Sequence, residues 1–366
     1  MRLAIGLAKK GVGKTSPNPA VGAVIVKDGR VVSKGWHKKA GGAHAEASAL
    51  SKKTLNAGGY SPLAGAALYV TLEPCRHYGN TPPCTEAIIR AGIKRVFLGT
   101  RDPNPLVSGK GIKALKRAGI EVVGGVLERE CRGLNPAFNK FIVSKMPHVT
   151  LKLAATLDGK IATSKGESRW ITGVASRRYV HRLRAITDAV ITSGKTVISD
   201  DPELTVRHAH GLNPMRVVLD SAFKTPLDSK VFRRYPGDRD GRLPMVFISA
   251  SAAKKKIEKA KGLGINVAAA TKAVGGSGVD LKSVLKTLGN MGVTSVMVEG
   301  GGVLTASFLK DRLVDRLFWF VSPKILGADA AASVGELKIK KLGAAIEIKN
   351  IKVKKIGNDV LIEGEF

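Results

Sequence analysis

One imidazole and two thiols, spread along the chain in a fixed order, constrain this sequence more than any other feature. His44-Ala45-Glu46 is followed by Pro74-Cys75 and, nine positions after Cys75, by Cys84. Together His44, Cys75 and Cys84 supply three protein ligands for a tetrahedral zinc ion whose fourth position stays open to water. A fold that uses them must bring all three to one point. Cys84 follows Pro82-Pro83 and precedes a helical run, where the helix dipole and free amides favour a thiolate. His44 likewise opens a helical stretch, 44–52. Glu46, two residues from a ligand, can be aimed into the same pocket to carry protons without binding the metal, as hydrolysis by a metal-activated water requires. Cys131 has no partner in either cluster and reads as a small buried apolar residue. Three cysteines in 366 residues do not make a disulfide framework.

The rest of the chain has to house this site. Its length suggests two domains at roughly 150 residues each. Apolar residues make up 44% and aromatics 5%, which favours an α/β protein with aliphatic cores. Helical spacing covers 2–10, and Asp28-Gly29 joins strands 21–26 and 30–34 as a hairpin. A strand at 67–71, a helix at 85–91 ended by Gly92, and a strand at 95–99 follow. A helical segment 135–142 then gives way to Pro147 and a strand at 148–154, which puts the boundary between 143 and 147 and the domains at 1–145 and 146–366. Beyond it we expect helices at 176–186 and 281–290, strands at 189–192, 215–220, 245–248 and 295–298, and a hairpin around Gly357-Asn358-Asp359. No stretch approaches the ~20 apolar residues of a membrane span, and the opening residues lack a signal sequence, so the expected compartment is the cytoplasm.

Sixty Lys and Arg against 29 Asp and Glu give a net charge of +31. Such a field attracts any polyanion, but the basic residues are spread along the chain, and small phosphorylated substrates profit from the same field. The expected partners are therefore small phosphorylated molecules rather than a membrane or nucleic acid, together with further copies of the chain as a dimer or tetramer.

Ser16-Pro17-Asn18-Pro19-Ala20-Val21-Gly22, His44-Ala45-Glu46, Thr71-Leu72-Glu73-Pro74-Cys75, Gly79-Asn80-Thr81-Pro82-Pro83-Cys84 and Asp102-Pro103-Asn104-Pro105 resemble the deaminase half of the bifunctional deaminase–reductase family of riboflavin biosynthesis. Cytidine and tRNA adenosine deaminases usually carry two residues between their cysteines; eight residues ending Thr-Pro-Pro-Cys point to the riboflavin family. The resemblance implies a cytidine-deaminase-like three-layer α/β/α domain, with zinc on His44, Cys75 and Cys84 and with Glu46 as proton shuttle. It also implies that Asn18 and His77 hold the pyrimidine substrate and its phosphate. Asn80 stands where the family often has Lys or Arg.

In the second half, Leu151 to Ala162, Ser168-Arg169-Trp170-Ile171-Thr172, Asp200 to Arg207 and Val298-Glu299-Gly300-Gly301-Gly302 resemble, in order, the family's reductase domain, whose α/β fold is that of dihydrofolate reductase. The glycine run after a strand reads as a loop whose amides could approach a phosphate. No G-x-G-x-x-G follows a strand, and Gly13-Lys14-Thr15 is no phosphate loop because the required first glycine falls at Ala8. By motif, Ala154, Trp170, Thr196, Asp200, Ser221 and the loop Gly301, Gly302, Val303, Leu304, Thr305, Ala306, Ser307 match positions that bind NADPH. Ser168, Arg184, Leu204, Arg207 and Glu299 match substrate positions, and Arg184 and Arg207 can offer planar forks to the sugar phosphate. The implied activity is zinc-dependent hydrolytic deamination of a diaminopyrimidinone ribosylamine phosphate, followed by NADPH reduction of its ribose to ribityl. Two other readings are a nucleic-acid base deaminase and a noncatalytic zinc-stabilised RNA-binding protein. Cysteine spacing and the second half oppose the first, and Glu46 beside an open zinc position opposes the other.

Overall fold

At Asp28-Gly29 both residues take positive φ, 49° and 72°, as a type I′ turn demands. The turn joins β1 (Gly22–Lys27) to β2 (Arg30–Trp36) as the expected antiparallel hairpin. In this computed structural model the described residues are 1–51, 61–76, 78, 82–105, 107–239, 241–249, 252–271 and 278–366. The chain divides into two units, 1–145 and 146–366.

The first unit contains α1 (Arg2–Ala8), the hairpin, α2 (Ala45–Leu50), β3 (Ala67–Leu72), α3 (Cys84–Arg90), β4 (Arg95–Thr100), α4 (Lys110–Arg117), β5 (Glu121–Val123), α5 (Glu128–Arg132) and α6 (Pro136–Ser144). Its sheet runs β2-β1-β3-β4-β5, with β3, β4 and β5 parallel. On one face Ala49 of α2, Ile88 of α3 and Leu115 of α4 pack on Ile25, Leu68, Val70, Val96 and Leu98. On the other face Ala4 and Leu7 of α1 pack on Val24. The result is the expected three-layer α/β/α sandwich. Gly35 lets β2 approach the start of α2 closely, since a Cβ there would overlap the Ala45 carbonyl. Cys131 is buried against Gly99, which has no room for a side chain.

The second unit contains β6 (His148–Thr156), β7 (Lys160–Ala162), α7 (Val174–Ala185), β8 (Ala189–Ser193), α8 (Gly194–Asp200), β9 (Met215–Leu219), β10 (Met245–Ile248), α9 (Lys254–Gly262), β11 (Asn266–Ala269), α10 (Leu281–Asn290), β12 (Ser295–Val298), α11 (Gly302–Lys310), β13 (Arg316–Ser322), β14 (Ala331–Ala332), β15 (Lys349–Ile356) and β16 (Asp359–Glu365). Its nine-stranded sheet runs β11-β10-β9-β8-β12-β6-β13-β16-β15, parallel from β11 to β13 and antiparallel at β16 and β15. Separate apolar clusters cover the two faces, as a mostly parallel sheet requires. After β6 the chain builds outward from β8 to β11, returns with β12 between β8 and β6, then crosses to β13. Ligands of such sheets bind beyond the strand carboxyl ends where the order reverses.

One expectation is corrected here. Residues 301–307 are not a loop: Gly301 is the N-cap of α11, and 302–307 form its opening turns. Leu304, Phe308 and Leu309 recur at helical spacing and are buried in the sheet cluster, which outweighs the glycines before them. Among the described residues no helix is long and apolar enough to cross a membrane.

Candidate active sites

In the first unit His44 is the N-cap of α2, Glu46 lies in that helix's first turn, Cys84 is the first residue of α3, and Cys75 follows β3. These starts converge because α2 and α3 pack side by side on the same sheet face. His44 Nδ1 lies 3.5 Å from Cys75 Sγ and 3.3 Å from Cys84 Sγ, and all three ligand atoms fall within 4.8 Å of one another. Nitrogen and sulfur ligands around a tetrahedral zinc, at their usual bond lengths, sit about 3.6 Å apart. The triangle therefore fits that ion. The Cys84 thiol hydrogen-bonds Cys75, drawing Cys75 down to about 4 and holding Cys84 above the usual thiol range.

Glu46 is 4% exposed, and its burial, reinforced by the Cys75 charge, pushes the carboxyl up to about 7. A group so tuned both takes and returns protons near neutrality. Glu73 is equally buried. Its two oxygens accept four backbone N–H groups, from Asp102 (3.3 Å), Gly109 (3.0 Å), Gly111 (3.0 Å) and Ile112 (3.2 Å). It thereby fixes the Asp102-Pro103-Asn104 segment next to the turn that bears Cys75.

His37, which the sequence alone did not single out, lies edge-on to His44 with ring centroids 5.6 Å apart. Its Nδ1 is 3.0 Å from the Ala43 carbonyl, which can only accept, so Nδ1 carries the hydrogen. Burial lowers its pKa and keeps the ring neutral. Its Nε2 then accepts from the Asn18 amide at 3.5 Å, leaving Asn18 Oδ1 as an acceptor for a ligand. His77 and Asn80 lie outside the described residues.

In the second unit Glu299, immediately after β12, is buried beneath two cations. Arg184 of α7 grips it with Nε–Oε1 at 2.7 Å and Nη2–Oε2 at 3.0 Å, and Lys152 Nζ of β6 lies 3.2 Å from Oε2. Burial alone would raise this carboxyl; the Arg184 and Lys152 charges instead hold it well below the usual carboxylate range. Arg184 also donates to the Thr205 carbonyl at 3.1 Å. Its Nε and Nη2 thus face Glu299, and the second N–H groups of Nη1 and Nη2 remain for a ligand. Arg207 is different: half exposed, it meets Glu203 through Nη1 at 2.7 Å and keeps further donors. His181 accepts the Arg207 backbone N–H at 3.1 Å, and burial, followed by the Arg184 charge, lowers it to about 4.

Leu204 packs in the core, so only its backbone can meet a ligand. Ser168 bonds the Asp200 carboxyl, which burial raises. Arg169 donates to the Asp200 carbonyl at 2.9 Å. Trp170 is exposed, with Arg177 4.4 Å from its ring centroid, and its carbonyl accepts from Lys324 at 2.7 Å. Thr196 hydrogen-bonds Ser193 at the start of α8; Ala154 lies near the end of β6, and the Ser221 carbonyl accepts from Ser249. On α11, Leu304 and Ala306 are buried, Val303 is exposed, and the Ser307 hydroxyl turns back to the Val303 carbonyl. Among the described residues three buried hydroxyls, Thr192, Thr305 and Ser322, have no partner; Thr192 and Ser322 lie at the carboxyl ends of β8 and β13 and Thr305 in the first turns of α11. Orphan hydroxyls around that edge, beside the unpaired amides that open a helix, suit a polar, phosphate-bearing cofactor.

Comparison with known proteins bears on both units. The RibD C-terminal domain family matches residues 147–362, and the cytidine and deoxycytidylate deaminase zinc-binding region matches 1–100. The riboflavin biosynthesis protein RibD of Aquifex aeolicus is 45% identical over 363 residues, covering 99% of this chain and 96% of that protein. The Escherichia coli protein of the same name is 39% identical over 344 residues, covering 90% and 88%. Among solved structures, Acinetobacter baumannii RibD aligns with a TM-score of 0.86 at 37% identity, covering 100% of this chain and 97% of that one. A diaminohydroxyphosphoribosylaminopyrimidine deaminase/5-amino-6-(5-phosphoribosylamino)uracil reductase from Thermotoga maritima gives 0.86 at 39%, with the same coverage.

Proposed function

This chain belongs to the RibD family, the bifunctional deaminase–reductases of riboflavin biosynthesis, and on that premise we propose that residues 1–145 form a zinc-dependent deaminase and residues 146–366 an NADPH-dependent reductase. The observation that carries the first half is the triangle of His44 Nδ1 and the two thiols with Glu46 buried beside it. His44, Cys75 and Cys84 would hold the zinc, whose contribution is to make a water nucleophilic near neutral pH. Glu46 takes a proton from the attacking water and delivers it to the ring nitrogen, then takes the second proton from the hydroxyl now on the ring carbon and delivers it to the amine, so the 2-amino group of the diaminopyrimidinone leaves as ammonia and a carbonyl replaces it. Asn18, through Oδ1, and His77 orient the phosphorylated pyrimidine.

In the second unit the nicotinamide cofactor supplies a hydride to the ribose carbon when bound. Ala154, Trp170, Thr196, Asp200, Ser221 and 301–307 border that cofactor. Ser168, the Leu204 backbone, Arg207 and Glu299 hold the ribose phosphate, with Arg184 positioning Glu299. Lys152, held against Glu299, carries the proton that the reduced sugar takes up. Free thiols that ligate zinc suit a reducing compartment, the cytoplasm.

The test is metal analysis of Cys75→Ser and Cys84→Ser. A hydroxyl is a far poorer zinc ligand than a thiolate, so both variants should lose the single zinc of the parent and all deaminase activity while still reducing already deaminated substrate. Stoichiometric zinc in both variants would remove the ligand assignment.

A further inference from the structure

On the nicotinamide reading above, Thr196 and Ser221, two residues that would border the cofactor, stand on the turns after β8 and β9, and these turns and the one after β10 form one connected structure. Gly194, which opens α8, sits directly on Asp220: a Cβ there would lie 2.6–2.9 Å from the Asp220 side chain. That carboxylate also accepts from Thr225, through the backbone N–H at 2.7 Å and the hydroxyl at 2.6 Å. Ser249 donates its hydroxyl to the Ser221 carbonyl at 3.0 Å and its N–H to the same oxygen at 2.9 Å, tying the third turn to the second. Lys195 follows Gly194 and Lys224 precedes Thr225, so two lysines stand one residue from the two groups that meet on Asp220. Both are exposed, and among the described residues neither has an ion-pair partner.

In other α/β sheets that hold a cofactor with a free ribose, a carboxylate just beyond a strand accepts from the 2′-hydroxyl. Asp220 is the carboxylate in that place, and Thr225 already takes it with two hydrogen bonds. What the turns offer outward is positive charge beside Ser221. We infer that Lys195 and Lys224 grip the 2′-phosphate of the cofactor and are the residues that select NADPH over NADH. The inference rests on the nicotinamide reading above. Two flexible ammonium groups converging on a dianion supply charge-assisted contacts that a 2′-hydroxyl cannot replace. The nearby lysines that open α9, Lys254 and Lys255, add to the general field but lie outside the Asp220 junction.

Calorimetric titration of the full-length chain with adenosine 2′,5′-bisphosphate and with adenosine 5′-monophosphate reads the 2′-phosphate directly, without catalysis. The parent should prefer the bisphosphate. In Lys195→Ala/Lys224→Ala that preference should fall by about tenfold per lysine removed, with monophosphate affinity unchanged. Lys254→Ala/Lys255→Ala removes the same charge from the general field and should keep the preference. A preference that survives in Lys195→Ala/Lys224→Ala overturns the inference while leaving NADPH as the cofactor. Equal loss in the α9 variant overturns it in favour of a diffuse field. A parent with no preference refutes NADPH selectivity itself, and the inference with it.

Discussion

Glu46→Gln is expected to keep its zinc and lose deamination by about 10²–10⁴, the contribution of a positioned acid–base group. Glu46 is buried beside the three ligands without being one of them, and its carboxyl titrates at about 7, where it can both accept a proton from water and return one to the leaving amine. Glutamine keeps the shape and the hydrogen-bonding reach of the side chain but cannot do either. Metal content therefore separates the two ways of losing activity: a zinc-free variant would make Glu46 structural, whereas a zinc-replete but inactive one makes it the proton carrier. Persistent deamination with full zinc would refute the role. Reduction of already deaminated substrate should continue near the parent rate, because Glu299, Arg184 and Lys152 belong to a different unit with its own core.

Glu299→Gln should produce the largest loss of stability in the second unit, about 3–5 kcal/mol, the range for removing one partner of a buried ion pair. Arg184 and Lys152 are 11% and 16% exposed, so without the carboxylate two positive charges face each other largely out of water. Denaturant unfolding followed by a second-unit probe measures the effect. Because the Glu299 carboxyl is depressed in the folded chain, its contribution is complete above the ordinary carboxylate range and disappears only as pH falls through the folded value. Parent and variant should accordingly differ fully at neutral pH and converge in strong acid. Equal stability at neutral pH would show that solvent, not Glu299, compensates the two cations.

Much of this was legible in the amino-acid order. The Asp28-Gly29 turn, the helix starts at His44 and Cys84 and the strands 245–248 and 295–298 follow from local chemistry that tertiary packing does not override. The zinc triangle was legible because three ligand types recur in a set order. His37 was not, because a single histidine after a strand has no ligand spacing to mark it. Lys152 was hidden in a strand whose alternation reads as one exposed side; only the sheet order shows that β6 lies between β12 and β13, where a lysine must find a counter-charge. The opening of α11 was misread because consecutive glycines signal a turn, while the burial that makes the segment helical depends on residues distant in sequence. The Glu299 partner of Arg184 was likewise hidden: a planar fork suits a carboxylate as well as a phosphate, and only the fold shows that Glu299 stands opposite.

Two consecutive reactions on one chain are tested most directly by product stoichiometry. The parent enzyme, given zinc, NADPH and 2,5-diamino-6-(5-phosphoribosylamino)pyrimidin-4-one, should release one ammonia and form one NADP⁺ per substrate, with ammonia appearing first; NADP⁺ formed from this substrate without ammonia release would contradict it.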